Sequence, residues 1–140
     1  MTHAVHNQES GYLERAIADR AGGLAFMVTD GKPTFIYSYI GLEWYTITAT
    51  EALPKGKCSI VFDFKYDGTP HKDKGKGGTG TILINGKKVG EGRIEKTVPT
   101  MFSTDDTFDV GEDWGTPVSP TYTLPARFTG TIKSVTVEIK

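Results

Sequence analysis

Five carboxylates fall within nine positions, at Asp105, Asp106, Asp109, Glu112 and Asp113. Clustered Asp and Glu oxygens are what a calcium ion takes, about six to eight at a time. The run "DDTFDVGEDWG" does not follow the EF-hand spacing D-x-[DN]-x-[DN]-G. Inside it, "FDV" reads as a strand that separates Asp109 from Asp105 and Asp106. Solvated turns on either side of that strand are the favoured reading, and a calcium site is the alternative.

Aromatic side chains offer a second chemistry. Tyr37, Tyr39 and Trp44 follow one another closely, with Phe26, Phe35 and Tyr45 nearby, and Trp114 stands in a polar run. Flat rings stack on the apolar C–H faces of sugars, so Tyr37, Tyr39, Trp44 and Trp114 are candidate ligand contacts. Aromatics also fill cores, and for the strand residues that is the simpler role. Trp114 reads first as a plug over an edge of the fold.

Other constellations carry less. "HKDKGKGGTG", His71 to Gly80, has the glycines and lysines of a phosphate cradle. A P-loop would need Gly at position 70 and Ser or Thr at 77, where the chain has Pro70 and Gly77, so a mobile solvated loop is expected. His3 and His6 are placed at a frayed terminus and His71 in that loop, with no nucleophile or acid set beside them for a triad. Glu91 and Glu95 flank Arg93 without the pattern of a glycosidase pair. Cys58 falls on an apolar face and reads as a small buried hydrophobe.

These residues sit on strands. Asp30-Gly31 and Asn85-Gly86, each between apolar runs, predict tight hairpins. Period 2 in "TFIYSYI", Thr34 to Ile40, puts Phe35, Tyr37 and Tyr39 on one face and Ile36 and Ile40 on the other. In the next run Tyr45, Ile47 and Ala49 oppose Thr46, Thr48 and Thr50. "CSIVFDFKY" aligns Cys58, Ile60, Phe62, Phe64 and Tyr66, the signature of a half-buried strand. A long loop is expected over Asp67 to Gly80. In the last strand Ile132 has the opposite parity to Val135, Val137 and Ile139, which predicts a bulge or a bend near Lys133. Residues 1–21 read either as a short helix or as an edge strand. Six or more strands with closely spaced turns predict an all-β, antiparallel two-sheet β-sandwich over residues 22–140.

The totals agree. One domain fits 140 residues, and a chain of this size buries enough surface to need no staple. Sixteen basic and 17 acidic residues leave a net charge of -1, which argues against nucleic acid. No apolar run reaches membrane-spanning length. Met1 to Ser10 lacks the regions of a secretory signal, so the default expectation is cytoplasmic.

From Gly22 onward the chain resembles the C-terminal β-sandwich domain of bacterial arylsulfatases. The residues that carry this are "DGKP.F.Y", "GLEWYT", "LPKGK", "FDFKYDG", "GKGGTGTILINGKKVGEGRIEKTVP", "FSTDDTFDVGEDWGTPVSPTY" and "FTGTIKSVTVEI". The resemblance implies a jelly roll of the concanavalin A type. It also implies an accessory role, because the sulfatase nucleophile motif C-x-[PS]-x-R belongs to a separate catalytic domain, and here Cys58 is followed by Ser59, Ile60, Val61 and Phe62. The expected function is therefore non-catalytic: a binding or self-assembling module. Carbohydrate binding, with or without calcium, and docking to a sulfatase catalytic chain are the alternatives. The resemblance further implies strands before Gly22, where this chain has only a short segment. A bare sheet edge would invite a homodimer through that edge or through the N-terminal segment.

Overall fold

The computed structural model describes residues 2–7, 14–17, 23–69, 72–99, 112–113, 118–121, 126–127 and 130–138. Among them are eleven strands and no helix: β1 (Thr2–Asn7), β2 (Glu14–Ile17), β3 (Gly23–Thr29), β4 (Lys32–Tyr39), β5 (Glu43–Thr48), β6 (Cys58–Tyr66), β7 (Lys76–Ile84), β8 (Lys87–Lys96), β9 (Glu112–Asp113), β10 (Ala126–Arg127) and β11 (Ile132–Glu138). The chain is all-β. Its two main sheets are antiparallel, one of five strands in the order β11-β1-β6-β7-β8 and one of four in the order β2-β3-β4-β5.

Turn chemistry sets the registers. Asp30 and Gly31 both take positive φ, as do Asn85 and Gly86, which is what two-residue hairpins with right-handed strand twist require. The first turn lines Phe26 up with Phe35, and the second aligns Ile84 with Lys87. In the last strand the pairing passes from Ser134 to Ile132, so Lys133 is the extra residue of a bulge.

Alternation then sorts side chains. Leu24, Phe26, Val28, Phe35, Tyr37 and Ile47 from the four-stranded sheet, with Ala49 just beyond the end of β5, share one core with Cys58, Ile60, Phe62, Ile82, Ile84, Val89 and Ile94 from the five-stranded sheet. Three rings span it: Phe62 stacks on Phe35 with centroids 3.6 Å apart, and Phe26 lies 5.9 Å from Phe62. Burial pushes the Cys58 thiol pKa up, the behaviour of an inert hydrophobe. Along one side the outermost strands of the two sheets meet. There the Thr50 amide donates to the Val89 carbonyl at 2.7 Å, and the Thr50 hydroxyl donates to the same oxygen.

Two expectations need correcting. The loop read over Asp67 to Gly80 ends early, because Lys76 to Gly80 already form the start of β7. Gly78 and Gly80 are glycine there because β-carbons would run into the rings of Phe64 and Phe62 on the neighbouring strand. The described part of the loop is also braced rather than simply solvated: the Tyr66 hydroxyl donates to the Asp73 carbonyl at 2.8 Å and accepts from the Lys76 amide. Second, His3 and His6 lie in β1, which is paired on both sides by β6 and β11, not at a frayed end. The N-terminal segment thus supplies an interior strand to one sheet and the outermost strand, β2, to the other. No helix among the described residues is long and apolar enough to cross a membrane.

Candidate functional site

The four-stranded sheet has a second apolar face, turned away from the shared core. Ala25, Met27 and Ile36 are buried there beneath Val118. Trp44 holds that segment in place: its indole N–H donates to the Val118 carbonyl at 2.7 Å. Ser119 is buried beside it, its hydroxyl within 2.8 Å of the Thr121 hydroxyl. A stretch from far along the chain therefore caps one half of this outer face.

The other half, toward the Asp30-Gly31 hairpin, is a groove of about 620 Å³. Met27 and Ile36 form part of its floor, and Thr29, Thr34, Thr46, Thr48 and Thr121 supply hydroxyls. Asp30 and Lys32 stand at the hairpin end. Period 2 explains the lining: Thr34 pairs with Thr48 and Ile36 with Thr46 across β4 and β5, so all four point to the same side. Thr34, only 4% exposed, satisfies its hydroxyl through the Lys32 carbonyl at 3.3 Å and lies 3.4 Å from the Thr48 hydroxyl. Thr46 and Thr48 are exposed. An apolar floor under a rim of neutral hydroxyls can hydrogen-bond and pack against a small, uncharged, amphipathic ligand at the same time.

Comparison with protein-family models, curated proteins and solved structures finds no match to this chain. The groove is accordingly assigned from its chemistry.

The three candidate aromatics that fall among the described residues do not converge. Tyr37 is a core residue, 6% exposed, whose hydroxyl accepts from the Val98 amide at 2.9 Å; burial pushes its pKa up. Tyr39 lies on the same face, partly buried, with the Lys96 ammonium 4.7 Å from its ring centroid. Trp44 is on the opposite face of the sheet, tied to Val118. Trp114 lies outside the described residues, as do Asp105, Asp106 and Asp109. Glu112 and Asp113 form β9, paired with Arg127 and Ala126. Among the described residues no three His, Cys, Asp or Glu side chains gather closely enough to hold a metal ion.

Tyr39 and Tyr45 belong instead to a charged cluster at the end of β5. The Tyr45 hydroxyl donates to Glu43 Oε2 at 2.8 Å, and Glu43 Oε1 accepts from the Lys96 ammonium at 2.7 Å. Desolvation first, and the Glu43 carboxylate second, push the Tyr45 pKa up to about 12. Its neutral form is favoured in the folded chain, so the stability this contributes is whole below the ordinary tyrosine value of 10.0 and lost as pH rises toward about 12. In an ultraviolet titration Glu43→Gln should move one late-ionising tyrosine back toward its usual range. A titration curve identical to the native one would show that Tyr45 does not feel Glu43.

The threonine groove was not singled out in the sequence. The signal was present in the shared parity of Thr46 and Thr48. What no local pattern could supply was the face they occupy, since β4 is apolar on both sides.

Proposed function

We propose that this chain is a non-catalytic binding module, built as a jelly-roll sandwich of the arylsulfatase C-terminal kind, and that it binds a neutral saccharide in the threonine groove. One observation carries the reading: a groove of about 620 Å³ in which hydroxyls of three strands surround an apolar floor. Sugars present the matching surface, with hydroxyls around the ring and apolar C–H faces above and below it. The near-balanced charge of the chain, -1, suits a neutral ligand better than a polyanion.

The test is a glycan array followed by calorimetric titration of the best hit. Replacing both exposed hydroxyls with isosteric methyls, in a Thr46→Val/Thr48→Val variant, should weaken binding by roughly tenfold or more, at about 1 kcal/mol per lost hydrogen bond. Unchanged affinity in the double variant would move the site elsewhere. An array without a hit, combined with co-purification of a sulfatase catalytic chain, would replace the saccharide reading with the docking one. Sulfate-ester turnover by the purified chain would end the non-catalytic reading.

A further inference from the structure

A different opening lies between the sheets, at the end where β8 leaves the fold. Leu24, Phe35, Tyr37, Phe62, Phe64, Ile94, Thr97 and Val98 enclose a chamber of about 180 Å³, almost wholly apolar. It is larger than the roughly 150 Å³ engineered cavity that stays dry and takes a benzene. Three of its lining residues, Phe64, Thr97 and Val98, also line an outer cleft of about 330 Å³, together with Tyr66, Asp73, Lys74, Gly75 and Pro99. Chamber and cleft therefore adjoin, and form a funnel that is apolar at its base and polar at its mouth.

The charges at the mouth are unequal. Asp73 is already engaged: its carboxylate accepts from the Thr69 amide at 2.8 Å and lies 3.5 Å from the Lys76 ammonium. Lys74 is exposed and forms no ion pair among the described residues. What remains for a ligand is one cation above an apolar chamber. We propose that this funnel takes a medium-chain monocarboxylate, its hydrocarbon end in the inner chamber and its carboxylate beside Lys74. The site is separate from the threonine groove, on the other side of the four-stranded sheet, and the two can fail independently.

The test is calorimetric titration with butanoate, hexanoate, octanoate and decanoate, and with octan-1-ol. Affinity should rise about fourfold per added methylene while the chain still enters the chamber. It should level off once the chamber is full. Lys74→Gln should weaken octanoate about two- to fivefold and leave octan-1-ol unchanged, because an exposed ion pair contributes modestly. Val98→Trp fills the neck and should abolish binding of both, with a native circular dichroism spectrum showing that the variant is folded. Should Val98→Trp unfold the chain, competition by octan-1-ol for the octanoate site supports the shared chamber, and its absence overturns it. A flat chain-length series would also overturn the proposal. An octanoate affinity indifferent to Lys74→Gln would overturn the placement of the carboxylate.

Discussion

Phe62→Ala should lose about 3–5 kcal/mol of unfolding free energy, the usual cost of removing a buried phenylalanine ring. The site is unforgiving for reasons particular to this fold. Phe62 is 1% exposed and comes from the five-stranded sheet, yet its nearest ring, Phe35, comes from the other. The two planes lie 8° from parallel, with Phe26 tilted against Phe62 from the neighbouring strand. Below the ring is Gly80, which has no side chain with which to close the hole. The cavity would be bounded by strands on both sides, and sheets collapse into a gap less readily than one side chain can turn. A domain of this kind has about 5–15 kcal/mol of stability in total, so the loss is a large part of it. Urea denaturation followed by tryptophan fluorescence should show a midpoint well below the native one, and Phe62→Leu should fall between the two. A native midpoint for Phe62→Ala would mean that the two sheets do not share a core at this residue.

The same residue shows how much of the fold could be read without coordinates. Strand β6 was legible because "CSIVFDFKY" alternates cleanly, and alternation is a local property. The hairpins at Asp30-Gly31 and Asn85-Gly86 were legible because positive φ restricts residue choice. The bulge at Lys133 followed from one break in parity. Strand β7 was only half legible. Lys76 to Gly80 contain three glycines, and glycine is a poor strand former when judged by its own chain alone. Here Gly78 and Gly80 answer to Phe64 and Phe62 on a neighbouring strand, a constraint that appears only after the strands have paired. The same limit applies to the site. Parity grouped Thr46 with Thr48, but nothing local says that Val118, 74 residues from Trp44, covers the other half of their face. The aromatics could not be sorted by proximity for a related reason: Tyr37 and Trp44 lie close in sequence, yet their parities send them to opposite sides of one sheet.

The glycines provide the sharpest check on how the two sheets oppose each other. Gly92 in β8 pairs with Gly80 in β7, which leaves a bare patch of backbone on the core side of the five-stranded sheet. Ile47 of the other sheet fills it. A β-carbon at Gly92 would sit 2.7 Å from Ile47 Cγ1, and its next two contacts, at 3.3 and 3.6 Å, are also atoms of Ile47. The conflict is thus with a single side chain, itself 4% exposed and unable to swing into solvent. Gly92→Ala should therefore cost about 1–3 kcal/mol through overpacking. In an Ile47→Ala background, already weakened by about 2–5 kcal/mol, the obstacle is gone. The alanine then retains only its advantage of restricting the unfolded chain, worth about 0.4–1 kcal/mol, so the second substitution should be neutral or stabilising. Gly80→Ala makes the natural contrast. Its β-carbon would meet the Phe62 ring at 2.6 Å as well as Ile47 Cδ1 at 2.7 Å, so Ile47→Ala should relieve it only in part. A double-mutant cycle by chemical denaturation separates these cases, because coupling between residues in contact exceeds the few tenths of a kcal/mol found for distant pairs. Equal penalties for Gly92→Ala in both backgrounds would mean that β5 does not lie over β8. The shared core would then have to be assembled in another way.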